Sequence, residues 1–226
     1  MYRIIKRSFD VLFALLALVV LLPIFLPLMI ALRLTGEGEI FYGQNRIGLR
    51  NSIFKIWKFA TMLKNSPNML TGSLTLRNDP RVTPVGRFLR KSKLNELPQF
   101  YNVLTGDMSF VGPRPQMRVD FEAFPKHVQE KIYDVQPGIT GIGSVIFRDE
   151  ESYLSRPDID PIAFYKDVIA PYKGEVELWY QQNISFVTDF KLLFLTAWQI
   201  VFPNSTLTYR VFPGLPPLPA KLQVNK

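Results

Sequence analysis

Near its N-terminus the chain loses the alternation of apolar and polar positions altogether. Residues 11–32 read VLFALLALVVLLPIFLPLMIAL and carry no charge. As a helix this run is about 33 Å long, enough to cross the hydrocarbon core of a bilayer. A cleaved signal peptide fits poorly, because it needs a shorter apolar region and a small-residue cleavage site. A single-pass anchor fits the length. A helix that enters and leaves by the same face fits two further features. Pro23 and Pro27 remove backbone donors and predict a kink mid-way. Basic residues flank both ends, Lys6 and Arg7 before and Arg33, Arg46 and Arg50 after, and positive-inside asymmetry places both flanks on the cytoplasmic side.

Beyond residue 34 the pattern turns mixed. Gly36, Gly38, Gly43 and Gly48 punctuate residues 35–60, and the apolar runs 39–42 and 53–59 predict short strands. Residues 63–80 predict a surface loop. Val85, Phe88 and Leu89 at helical spacing, with Pro84 in the first turn, predict a helix over 83–94. A second helix is expected to start at Asn95 as N-cap, with Glu96 and Pro98 in its first turn and Gly106 ending it. Residues 118–133 predict a helix interrupted near Pro125, and residues 161–182 and 185–201 predict two more. The last of these is apolar enough for a membrane interface, where Trp179, Tyr180 and Trp198 suit the headgroup zone. The tail from Pro203 is proline-rich and is expected to be extended. The organisation predicted is a membrane anchor over 1–34, a domain over 35–202 and an extended tail over 203–226. The fold class is α+β and mainly helical, a small cytoplasmic domain with interfacial helices behind a re-entrant N-terminal helix.

Charge narrows the partners. The 226 residues hold 27 Lys+Arg against 19 Asp+Glu, a net charge of +8. That favours an anionic partner: a phospholipid surface, a phosphorylated small molecule or a nucleic acid. Nucleic acid is disfavoured, because the basic residues sit beside a membrane segment and no nucleic-acid motif is present. The chain has no cysteine and one histidine, His127, which excludes disulfides, thiolate metal sites and clustered-histidine sites. His127 itself reads as a surface helix residue.

The densest basic stretch is Arg77, Arg81, Arg87, Arg90, Lys91 and Lys93, opposed by Asp79. On a helix Arg87, Arg90 and Lys91 share one face. They form either a solvated face against anionic lipid or a phosphate clamp, for which arginine's planar fork is suited. The cluster leads into the expected helix start at Asn95, where free N–H groups favour an anion. Glu96 there ligates a divalent cation, moves a proton, or simply complements the helix dipole. In GDMSFVGPRP (106–115) Pro113 and Pro115 stiffen Arg114, which makes an anion anchor or a rigid turn. QPGITGIG (136–143) carries three glycines that let a backbone approach a ligand. P-loop and dinucleotide signatures are absent. The acidic run Asp149, Glu150, Glu151 reads as a solvated turn or as a source of a carboxylate.

Taken in order, Arg87 to Leu97, Pro98-Gln99, GDMSFVGPRP and PGITG resemble the bacterial sugar transferase family, small monotopic polyprenyl-phosphate phosphoglycosyl transferases. The resemblance runs from Lys6, Arg7 and Asp10 to about Thr196. It implies transfer of a sugar 1-phosphate from a UDP-sugar to a polyprenyl phosphate, usually undecaprenyl phosphate, with release of UMP. It further implies Mg²⁺, a re-entrant helix kinked at Pro23, the cytoplasmic face of the bacterial inner membrane, and a product that starts a lipid-linked glycan for capsule, O-antigen or glycoprotein assembly. Besides the lipid phosphate and UDP-sugar, membrane phospholipid is an expected partner, and a homodimer is allowed.

The resemblance places the chemistry at Asn95 and Glu96. The family pattern there is Asp-Glu, the aspartate forming a phosphosugar-enzyme intermediate and the glutamate assisting and binding the metal. Asn95 departs from it, since an amide is no such nucleophile. Ala60, where the family usually has arginine, and Ser144, where it often has glutamine, are further departures. Lys58, Arg87, Arg90, Arg114 and Asp189 are expected to bind substrate or phosphate, and Glu96 to bind the metal. With Asn95, three outcomes are open: Glu96 attacks, polyprenyl phosphate attacks the UDP-sugar directly, or the chain binds UDP-sugar or lipid phosphate as a non-catalytic scaffold or regulator.

Overall fold

The computed structural model of the chain describes residues 2–69, 75, 78–203 and 205–225. Helix α1 spans Tyr2–Leu34 and is long and apolar enough to cross a membrane. It stays helical through Pro23 and Pro27. Its middle is bare: Leu16, Val19, Val20 and Leu22 are all more than half exposed. Both ends are held by the domain that follows. Arg7 donates to the Val103 and Leu104 carbonyls at 2.6 and 2.9 Å, and Asp10 accepts from the Phe110 N–H at 3.1 Å. Ala14 packs with Ile56, Val103 and Met108. Eighteen residues later Leu32 packs with Phe59 and Leu89, and the Phe25 and Phe59 rings sit 5.4 Å apart.

The expected strands form an antiparallel hairpin, β1 (Phe41–Ile47) and β2 (Ile53–Phe59), with Tyr42 opposite Lys58. Gly48 and the left-handed residues Arg50 and Asn51 make its turn. Helix α2 (Pro84–Lys91) begins with proline at its first position, and Thr83 caps it by accepting from Gly86 N–H at 3.0 Å. The next helix does not start at Asn95. Residues Leu94–Glu96 form a 3₁₀ turn entered through Lys93 at φ 60°, and α3 (Gln99–Thr105) starts only after Pro98. Asn95 is buried in the middle of this turn, not at the start of a helix, and makes no cap. In the expected loop over 63–80, Asp79 and Arg81 are buried as a pair 2.6 Å apart. Arg77 lies outside the described residues.

The glycine-rich run does something other than the sequence suggested. Strand β3 (Ser109–Val111) pairs in parallel with β4 (Gly138–Thr140). A side chain on Gly138 or Gly141 would strike the Gly112 backbone, and one on Gly112 would strike the Gln136 carbonyl. Gly112, Gly138 and Gly141 let two backbone segments approach each other.

Short helices α4 (Arg118–Glu122) and α5 (Lys126–Gln129) flank Pro125 as expected. After α6 (Ile142–Ile146) and α7 (Glu150–Leu154), α8 (Pro161–Phe164) runs through a π turn into α9 (Ala170–Gln182), and α10 spans Phe186–Val201. The main core gathers Val128, Ile142, Ile169, Val176, Leu192 and Leu195 from α5, α6, the π turn, α9 and α10. Helix α10 leaves Val187, Phe190 and Phe194 exposed on its outer face. Tyr180, expected at the headgroup level, is instead buried, with its hydroxyl 2.7 Å from Asp189. The tail is not simply extended: it forms α11 (Leu207–Val211) and a 3₁₀ turn (Ala220–Asn225), and returns Phe212 and Leu222 to the core. Apolar residues between the prolines supply the burial that folds it back.

Candidate active site

The turn after α2 and the loop after β3 converge on Glu96. Arg114 reaches it with a two-pronged guanidinium–carboxylate contact, Nη1 to Oε2 at 3.2 Å and Nη2 to Oε1. Lys58 from β2 stands 3.7 Å from Oε1. Burial works against the Glu96 charge, but Arg114, Lys58 and Lys93 outweigh it and hold the carboxyl far below the usual range. Burial brings Lys58 down to about 7 even against the attraction of Glu96. Burial likewise lowers Arg46, Lys93 and Arg148.

Around this trio opens a cavity of about 1200 Å³. Its walls carry Arg46, Lys58, Arg90, Lys93, Arg114 and Arg148, with Arg87 and Lys91 of α2 also lining it. Against them stand Glu37, Glu39, Asp79, Glu96, Asp120 and the acidic run 149–151, while Lys64 and Lys173 also line the wall as cations. Within the acidic run Lys173 holds Glu150 and Arg90 holds Glu151 at 3.3 Å. The surplus is positive, which suits a ligand bearing several phosphate charges. Asn95 lines the same cavity, is 6% exposed, and its Oδ1 has no protein partner. Gln99, one turn on and fully buried, has neither amide atom paired.

The structure therefore brings together Lys58, Arg87, Arg90, Asn95, Glu96 and Arg114. It does not bring Asp189. That carboxylate sits in the first turn of α10, bound to Tyr2 at 2.6 Å, Lys6 at 2.6 Å and Tyr180 at 2.7 Å, and fastens the start of α1 to the domain. His127 is an exposed partner of Glu175.

Sequence reasoning missed Glu177. It is 2% exposed on α9, its Oε2 has no hydrogen-bond partner, and its carboxylate lies against Gly143, where the backbone of Arg114 and Gly143 favours its charged form. Burial pushes its carboxyl up to about 8. Nothing in its local sequence separates it from the other charges of α9; only the fold places it against Arg114 and Gly143. Arg46 and Arg148 were equally invisible, since each is isolated from the basic run in sequence.

Among the described residues there is no group of three or more His, Cys, Asp or Glu able to enclose a metal. The oxygens present still suit Mg²⁺. This ion commonly takes one or two protein carboxylates and leaves its other positions to phosphate oxygens and water. Glu96, which lines the cavity, is such a carboxylate.

The chain is similar to known proteins over most of its length. Residues 1–203 match the bacterial sugar transferase family. The exopolysaccharide production protein ExoY of Sinorhizobium fredii is 37% identical over 205 residues, covering 84% of this chain and 83% of that protein. The undecaprenyl-phosphate galactose phosphotransferase of Salmonella typhimurium is 34% identical over 86% of this chain, but only 40% of its own length is matched. The UDP-glucose:undecaprenyl-phosphate glucose-1-phosphate transferase of Escherichia coli K12 is 36% identical over 84% of this chain and 40% of its own length. The chain thus spans about two fifths of these two larger relatives. It belongs to the bacterial sugar transferase family.

Proposed function

We propose that the protein transfers a sugar 1-phosphate from a UDP-sugar to a polyprenyl phosphate, undecaprenyl phosphate in a bacterial membrane, and releases UMP. This is the first step of a lipid-linked glycan such as an exopolysaccharide. The observation that carries the reading is the Glu96–Arg114–Lys58 trio in a cation-rich cavity beside an apolar helix. The diphosphate of a UDP-sugar and the phosphate of a lipid carrier are the anions such a cavity is suited to hold. Glu96 fixes the two cations in place, and Arg90, Lys93 and Arg148 are near enough to take up phosphate charge. Mg²⁺ held by Glu96 would neutralise charge on the diphosphate and its leaving group.

The membrane reading is a re-entrant one, at the cytoplasmic face of the inner membrane. A straight spanning helix would put its two ends in different compartments. Here Arg7 and Asp10 at one end and Leu32 at the other hold the same domain, while the bare middle offers apolar surface to lipid. The exposed apolar face of α10 adds interfacial area against phospholipid.

The test is UMP release by membranes containing the protein, with Mg²⁺, undecaprenyl phosphate and a panel of UDP-sugars. Release by the parent chain that is lost in Glu96→Gln supports the reading. A silent parent beside an active Asn95→Asp variant defeats it.

A further inference from the structure

The proposed reaction leaves open what attacks the sugar-bearing phosphorus. Asn95, Glu96, Glu150, Glu151 and Ser144 are candidates at the cavity, as are Asp120 and Asp149, which each already interact with another group of the protein. The structure disarms the rest in turn. Asn95 is an amide, with no nucleophilic lone pair comparable to a carboxylate's. Glu96 is pinned by Arg114 on both oxygens and by Lys58 on one, which lowers its basicity and with it its power to attack. Glu150 and Glu151 are tied to Lys173 and Arg90. Ser144 lines the cavity, but its hydroxyl has no hydrogen-bond partner and hence no base to deprotonate it.

What the site offers instead is room and charge for two anions at once. Cavities for one drug-sized ligand run to about 300–1000 Å³, and this one measures about 1200 Å³. Arg46, Lys58, Arg90, Lys93, Arg114 and Arg148 are spread around it. Asn95 lines it from a buried turn as a neutral amide, with no charge of its own to repel phosphate.

We propose that this protein transfers the sugar 1-phosphate in a single displacement, with UDP-sugar and lipid phosphate bound together, and that Asn95 donates a hydrogen bond to the phosphoryl group in flight. The inference rests on the function proposed above. A terminal oxygen of the lipid phosphate uses a lone pair to bond the β-phosphorus, the one that carries the sugar. The bond from that phosphorus to the oxygen bridging it to the α-phosphate breaks, and its electron pair leaves on that oxygen, now a terminal oxygen of UMP. The attacking phosphate is a dianion and UMP departs as one, so no proton need move. The product is a lipid diphosphate sugar, and no bond to the protein forms.

The test uses the full chain in bilayer nanodiscs with Mg²⁺ and a UDP-sugar labelled in the β-phosphate. Without acceptor lipid, no UMP, no labelled protein and no exchange of labelled UMP into UDP-sugar are expected. With undecaprenyl phosphate, initial-rate lines should intersect, and the phosphorus should invert its configuration. Asn95→Ala and Asn95→Asp should each lower kcat about tenfold or more while the KM for UDP-sugar changes little. A burst of one UMP per protein without lipid, UMP exchange, or parallel initial-rate lines overturns the single displacement. An Asn95→Ala variant with parental kcat overturns the role of Asn95. No UMP from the complete mixture with any sugar defeats the function reading itself, whereas UMP accompanied by exchange defeats only this inference.

Discussion

Asp189 and Glu96 are both inward-facing carboxylates with basic partners, yet they do different work. Asp189 has a lysine and two tyrosine hydroxyls within 2.7 Å, and every contact joins α1 or α9 to α10. Donors and acceptors match there, so the group is a clasp. Glu96 holds Arg114 and Lys58 at the edge of a large cavity whose other cations outnumber the remaining acids, with unpartnered amide groups close by. A buried charge that is matched holds structure together, whereas a surplus facing open space is kept for a ligand.

The sharpest way to break that contrast is at Glu96. Glu96→Ala leaves Arg114 and Lys58 unfixed, and UMP release should fall by about a hundredfold or more. Asp189→Asn should do the reverse. Removing one partner of a buried pair costs about 3 kcal/mol, or roughly 6–12 °C of melting temperature at this chain length. The fraction still folded should keep the parental KM for UDP-sugar, measured by the same UMP assay. A raised KM would return Asp189 to the binding site.

Lys58 sharpens the comparison through pH. With Lys58 near 7, it is charged below that pH and neutral above it. Phosphate binding needs the charge, so kcat/KM should fall up to about tenfold as pH rises from 6 to 8.5. Lys58→Arg, always charged, should flatten the profile; an unchanged slope would assign it to another group. Glu177 should appear in stability instead. Its folded value near 8 exceeds that of an unfolded carboxyl, so the native state holds a proton the unfolded chain releases. That contribution is complete below the unfolded value and is lost as pH rises to about 8. Glu177→Gln, which never ionises, should melt a few degrees above the parent at pH 8 and close to it at pH 4.5. The smallest effect belongs to His127, whose ion pair with Glu175 is exposed: His127→Ala should change stability by less than about 0.5 kcal/mol in thermal unfolding.

Much of the fold was legible where local chemistry decides. The uncharged run made α1, Pro84 behind Thr83 started α2, and Pro125 divided α4 from α5. Arg87, Arg90, Lys91 and Lys93 of the basic run do line one cavity with Glu96 and Arg114, whereas Arg81 is buried against Asp79. Asn95 shows the limit. Asparagine suits a helix cap, but Asn95 lies in the middle of a 3₁₀ turn entered through Lys93 in the left-handed region, and makes no cap. The parallel pairing of β3 with β4 joins segments nearly thirty residues apart, and the glycines that permit it look locally like any loop.

The sequence by itself determined that this protein has a long apolar N-terminal helix, a cationic domain and the ordered motifs of its family, since each follows from the character of neighbouring residues. Only the tertiary structure decided which charges are matched and which are left over. It sent Asp189 to a clasp, lodged Glu177 against the loops that carry Arg114 and Gly143, and set Asn95 in the wall of a large cavity. Pairing and burial depend on residues distant in the chain, so they exist only once the chain has closed on itself.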